Sequence, residues 1–154
     1  MRTAFAGIVW RILAAARADD PTGPARAPEG RFHHDGQVAV YTSLTAEGAG
    51  IAIQRYLGPK DAPRVILPLH VTAHFLTDLR LLPDPAAASV VWQDQRDQGL
   101  PAPTWALSDA ALAAGAQGLL YASRSRPDLT YLVLFDLAAQ VLRPAGPAQD
   151  WPAG

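Results

Sequence analysis

Proline and glycine constrain this chain more than any other feature. Fourteen prolines and twelve glycines are spread over 154 residues, and neither residue propagates a helix or the middle of a sheet. The chain is therefore cut into short segments. The densest cluster, Asp19 to Gly30, contains Pro21, Gly23, Pro24, Pro28 and Gly30 and reads as a surface loop. No apolar run reaches the ~20 residues of a membrane span. The apolar start resembles a secretory leader, but Arg11 interrupts it, so a cytoplasmic location is expected.

Between the breaks, β-branched and aromatic runs predict strands at Ala6 to Leu13, Gln37 to Ser43, Arg64 to Val71, Leu119 to Ala122 and Thr130 to Asp136. Pro68 pushes the third of these toward a sheet edge or a bulge. A helix is expected from Thr45 to Leu57, with Thr45 as N-cap, Glu47 in the first turn and Gly58-Pro59 as the stop. A second, alanine-rich helix opens at Ser108-Asp109 and closes at Gln117-Gly118. Phe75 to Leu82 fits either helix or strand. Little regular structure is expected between Pro83 and Pro103. Strands interspersed with few helices, without strict alternation, predict a single α+β domain over residues 1–142. Residues 143–154 read as a mobile tail rich in proline, glycine and alanine.

Composition excludes several function classes. There is no cysteine, hence no disulfide scaffold, thiolate metal site or cysteine nucleophile. A net charge of −1 lacks the basic excess of a nucleic-acid binder. Lys60 is the only lysine, so an anion site here must use arginine forks. His70 and His74 fall in a strand-like run, where positions four apart do not easily chelate one ion, so no metal is expected. Gly48-Ala-Gly50 lacks the third glycine of a dinucleotide fingerprint.

What remains is a set of polar residues beside strands: Arg11 within an apolar run, Arg31 after Gly30, Tyr41 in mid-strand, and Ser123-Arg124 at a strand end. An arginine among apolar neighbours is costly unless its head is paired or faces a polar cavity. Arg11 either snorkels and Tyr41 merely packs, or both face a ligand site.

The ordered motifs Val-Trp-Arg11-Ile, Glu-Gly30-Arg31-Phe32, Val-Tyr41-Thr-Ser, Gln-Gly118-Leu-Leu-Tyr-Ala-Ser123-Arg124 and Leu132-Val-Leu-Phe135 resemble the RES-domain toxin family, in particular its ParT-like members. The resemblance extends to about Leu142. It implies a fold similar to the diphtheria-toxin-like ADP-ribosyltransferases and consumption of NAD+ by the toxic half of a toxin–antitoxin pair. Some members hydrolyse or phosphorolyse NAD+, and others transfer ADP-ribose to a host protein. Arg31 and Ser123 match the family arginine and serine. Arg11, Phe32 and Tyr41 are further candidates for holding NAD+. The implied partners are an antitoxin with a helix-turn-helix domain and a host protein that accepts ADP-ribose.

One position departs from the family. Its glutamate is expected eleven residues after the strand tyrosine, and residue 52 is Ala52. Glu47 lies about 140° around the helix from that position, and Gln54 is also off its face. The chain is therefore expected to be an inactivated toxin, or a catalytically silent domain that binds a partner.

Overall fold

The frame is set by two long strands. β1 (Arg2–Ala14) and β3 (Arg64–Asp78) run antiparallel, from Arg2 opposite Thr77 to Ala14 opposite Arg64. The structure, a computed structural model, describes residues 2–54, 57 and 62–152. Three shorter strands complete a ring: β2 (Val40–Ser43), β4 (Gly118–Ala122) and β5 (Thr130–Leu134). β2 meets β1 at Trp10–Ser43 and pairs along its length with β5. β5 pairs with β4, and β4 lies parallel to the end of β3. Since β3 also pairs with β1, the sheet closes on itself like a small barrel. The result is a mixed α and β domain.

Closure leaves β4 and β5 buried on both faces, which explains their nearly continuous apolar sequences. Alternation sends Leu120, Leu132 and Leu134 into one core with Val9, Leu67 and Leu69. Leu119, Tyr121, Tyr131 and Val133 enter a second core with Phe32, Leu79 and Ala111. The helices α1 (Ala46–Ile53), α2 (Trp92–Asp97) and α3 (Thr104–Ala113) lie outside the ring. Among the described residues, no helix is long and apolar enough to cross a membrane.

Several boundaries differ from the sequence expectations for identifiable reasons. β1 and β3 extend past their apolar segments because each supplies the other's backbone partners, so Phe75 to Asp78 is strand. A 3-10 turn over Leu79–Leu81 follows. Pro68 sits within β3, yet its carbonyl accepts from Ala145 N–H at 3.1 Å. Its N–H-less side thus faces the gap between two short partner strands. Those are β6 (Leu142–Pro144), paired to Leu69–Val71, and β7 (Gln149–Trp151), paired to Arg64–Ile66. Residues 143–154 were expected to be a mobile tail, but Leu142–Pro144 and Gln149–Trp151 are instead recruited to the free edge of β3. Edge pairing satisfies backbone groups whatever the composition of the added strand.

Thr45 caps α1 as expected, accepting from Gly48 N–H at 3.0 Å, while the expected stop at Gly58-Pro59 lies outside the described residues. α2 was not foreseen in the Pro83 to Pro103 stretch. α3 starts at Thr104 rather than Ser108 and ends before Gly115, whose φ of 89° breaks the helix. Gln117-Gly118, expected as the helix end, instead enters β4.

Gly118 has no room for a side chain, because a Cβ there would lie 2.2 Å from the Val133 carbonyl oxygen. Gly118→Ala is expected to destabilise the fold by about 1–3 kcal/mol, the range for overpacking. Urea unfolding would show this as a lower midpoint at unchanged slope.

Candidate active site

Strand alternation builds one wall of a cavity. Tyr41 and Ser43 on β2, and Tyr121 and Ser123 on and just beyond β4, are each two residues apart, and Tyr131 on β5 stands opposite both Ser43 and Tyr121. α1 crosses this wall and brings Ala49 and Ala52 to the cavity. It packs closely because Gly48 has no side chain and because the Tyr131 hydroxyl donates to the Gly48 carbonyl at 3.0 Å. The Glu29–His33 loop and Val90 to Gln93 close the other side. The enclosed space is about 670 Å³, within the range of small-molecule sites.

The segment bearing Arg31 is fixed from several directions. Arg96 on α2 forms a two-pronged ion pair with Glu29, at 2.8 and 3.0 Å. Trp105 Nε1–H on α3 donates to the Gly30 carbonyl at 2.8 Å, and the Thr104 hydroxyl donates to the Arg31 carbonyl. From the strand side, the Tyr41 hydroxyl accepts from Phe32 N–H at 3.0 Å and lies 2.7 Å from His33 Nδ1. His33 Nε2 is 2.9 Å from the Ala27 carbonyl, which can only accept. Nε2 therefore carries a proton, and in the neutral imidazole the Tyr41 hydroxyl donates to Nδ1. Gly30 is required at the centre of this arrangement. A Cβ there would lie 2.6 Å from the His33 ring and 2.8 Å from the Tyr41 oxygen.

Arg31 itself is held over the rings of Tyr121 (4.8 Å) and Phe32 (5.2 Å), and one terminal nitrogen donates to the Ala88 carbonyl. Its Nε is buried without a hydrogen-bond partner among the described residues. Burial lowers its pKa, and neighbouring Arg124 adds to that effect. Arg11 is 5% exposed and donates through Nη1 to the Pro21 and Gly23 carbonyls, at 2.9 and 2.7 Å. Burial first, then Arg17, lowers its pKa to about 10.

Four of the residues singled out from sequence, Arg31, Tyr41, Ser123 and Arg11, come together at the cavity, as does Ala52. Phe32 does not. Its ring is fully buried in the second core, edge-on to Tyr121 at 4.7 Å, so it supports Arg31 from behind and cannot stack on a ligand. Arg11 is committed in part to loop carbonyls rather than wholly free for a ligand. Ser123 is 2% exposed, and its oxygen accepts from Arg126 N–H at 3.2 Å, leaving its own proton to donate. Glu47 and Gln54 do not line the cavity, and Glu47 instead approaches Arg126 at 3.6 Å. Among the described lining residues the only carboxylate is Glu29, which is engaged by Arg96. Sequence reasoning missed Arg17, Glu29, Trp10 and Trp92 as lining residues. Strand alternation could have supplied Trp10, which shares the face of its partner Ser43.

The family model for the RES domain matches residues 8–153. The chain belongs to the RES domain family. This RES domain also superposes on a solved structure of the M. tuberculosis MbcT–MbcA toxin–antitoxin complex, with a TM-score of 0.70 and 18% identity. The match covers 97% of this chain and 86% of that one. No curated protein matches it in sequence.

Two outcomes follow from the clamp around the RES domain's Arg31. Tyr41→Phe strands His33 Nδ1 and Phe32 N–H, and should cost about 1–3 kcal/mol of stability, measured by denaturant unfolding. The second outcome concerns His34, which stacks on Trp105 at 4.4 Å and bridges Asp35 and Asp109 at 2.6 and 3.0 Å. Burial lowers its pKa, but the hydrogen bonds to both aspartates outweigh burial and raise it above the ordinary 6.5. Asp109 is lowered below its ordinary 3.8, because hydrogen bonds from Gln37 and His34 outweigh the opposing effect of burial. A raised histidine stabilises fully below its unfolded value and loses that contribution as pH rises through its folded one. A lowered aspartate stabilises above its unfolded value and loses its contribution as pH falls through its folded one. The contact is therefore strongest between about 3.8 and 6.5. His34→Ala should flatten the decline in stability from pH 6 to 8, seen in melting curves across that range.

Proposed function

We propose that this RES domain is the toxin half of a toxin–antitoxin pair whose substrate is NAD+, acting in the cytoplasm with a fold related to the diphtheria-toxin-like ADP-ribosyltransferases. The observation that supports this most is that Arg31, Tyr41, Ser123 and Ala52, from four separate segments, line one cavity. Arg31 grips the pyrophosphate through charge-assisted bonds from its guanidinium, whose Nε has no hydrogen-bond partner among the described residues. The Tyr41 ring offers a face to the cationic nicotinamide, and the Ser123 proton donates to the carboxamide or a ribose oxygen.

In the reaction, the bond between ribose C1′ and the nicotinamide nitrogen breaks, and nicotinamide leaves as a neutral ring with the bonding electrons. An acceptor oxygen or nitrogen bonds to C1′ and releases a proton. A host protein is the acceptor we favour, giving mono-ADP-ribosylation, with water or phosphate as the alternative. Positive charge develops on the ribose, and a carboxylate beside it lowers that barrier. Residue 52 is one of the α1 positions at the cavity, with Ala49, Ile51 and Ile53, and none of them supplies a charge. This form accordingly binds NAD+ but turns it over slowly. The partner is an antitoxin with a helix-turn-helix domain that covers the cavity; the likeness to a structure solved as a toxin–antitoxin complex supports the antitoxin itself.

Ala52 also favours a second reading, a catalytically silent domain that only binds its partner. Calorimetry separates the two. The toxin reading expects an NAD+ isotherm that Arg31→Ala abolishes, together with NAD+ consumption raised by orders of magnitude in Ala52→Glu. An absence of binding at millimolar NAD+ would leave the silent domain.

A further inference from the structure

The cavity holds more positive charge than one pyrophosphate requires. Its lining includes Arg11, Arg17, Arg31 and Arg124, and its one described carboxylate, Glu29, is engaged by Arg96 outside this set. Among the described residues, none of the four forms an ion pair. They also fall into two groups. Arg31 stands on the second core, over Phe32 and Tyr121, and its cationic neighbour is Arg124. Arg11 projects from the face of β1 that carries Val9 and Leu13 into the first core, and its cationic neighbour is Arg17.

The Arg11–Arg17 group has the features of a prepared anion site. Arg11 Nη1 is anchored by two backbone carbonyls, and Arg17 Nη2 donates to a third, Pro24, at 2.9 Å. These neutral anchors orient both guanidinium planes, and the carboxylate that acts on Arg11, Asp20, offsets its charge less than burial and Arg17 disfavour it. Arg17 Nε is buried with no hydrogen-bond partner among the described residues, a vacancy that costs free energy until an acceptor fills it. Arg11 is buried and Arg17 half-buried beside it, so the two cations repel each other, and an anion placed between them relieves that repulsion.

Building on the dinucleotide reading above, we propose that Arg11 and Arg17 form a second anion centre, which takes the phosphomonoester of an adenine dinucleotide phosphorylated on its ribose. Arg31 and Arg124 hold the pyrophosphate of the same molecule. The preferred substrate is then the 2′-phosphorylated dinucleotide rather than the plain one.

Calorimetry at low salt tests this with two probe pairs, NADP+ against NAD+ and adenosine 2′,5′-bisphosphate against 5′-AMP. The phosphorylated member of each pair should bind at least tenfold more tightly. Arg17→Gln should erase that preference, whereas Arg26→Gln, which removes the same charge from an exposed site outside the cavity, should retain it. Melting curves check that both variants are folded. Equal affinities within both pairs, or a preference that survives Arg17→Gln, would overturn the proposal. If neither dinucleotide binds but the Arg17-dependent preference for the bisphosphate persists, the second anion centre stands and the dinucleotide reading falls.

Discussion

The site depends on the fixing of the Glu29–Arg31 backbone between two independent supports. On one side, α2 and α3 hold it through Arg96, Trp105 and Thr104. On the other, the Tyr41 hydroxyl ties it to β2 through Phe32 N–H and His33. Neither support would suffice alone, because a loop of this composition carries no secondary structure to restrain it. Gly30 at the meeting point is required by the strand-side support, since the His33 ring and the Tyr41 oxygen approach closer than a Cβ allows. The guanidinium of Arg31 is thereby aimed before any ligand arrives, and preorganisation of this kind strengthens binding by reducing the order a ligand must impose.

Much of this was legible in the sequence, for physical reasons that differ from one residue to another. Tyr41, Ser123 and Arg31 stood out because each is polar in or beside an apolar strand, where burial demands a partner. The capped start of α1 was visible in Thr45 and Glu47, whose effects are local. β6 and β7 were not visible, because their pairing comes from the free edge of a strand some seventy residues away, and the tail's own residues carry no β signal. α2 was equally hidden. Its ion pair with Glu29 joins residues 67 positions apart, beyond the reach of any periodicity. Phe32 was misread for the converse reason. An aromatic residue beside a candidate arginine can face a ligand or support the arginine from behind, and only the packing of the second core decides between them.

Arg11, which is buried, and Arg31, which is partly buried, illustrate how the fold accommodates cations away from water. A buried charge is normally matched by an opposite one, as the buried Asp78 is by Arg80 at 2.7 Å. Around the cavity the match is made instead with backbone carbonyls and aromatic faces, which accept hydrogen bonds or cation–π contact without neutralising the charge. Arg11 therefore has its pKa lowered to about 10, whereas Arg80 and Arg96, each paired with an acid, have theirs raised. The contrast separates arginines that hold the structure together from those left available to an anion.

Ala52 acquires its significance from this electrostatic setting. The side chain is exposed on α1, so exchanging a carboxylate for a methyl group there leaves no buried partner unsatisfied and disturbs neither core. Its effects on binding and on chemistry have opposite signs. Without a negative charge at residue 52, the cavity is more positive, and its Coulomb attraction for any anion increases. On the proposed NAD+ chemistry, the same loss removes the stabilisation of a ribose that would become cationic as its glycosidic bond breaks. The groups proposed to bind and the position proposed to drive the reaction lie on different elements, the Arg31 loop and the end of β4 on one hand and α1 on the other. A single substitution can therefore silence the chemistry while leaving the arginine frame, and whatever it binds, in place.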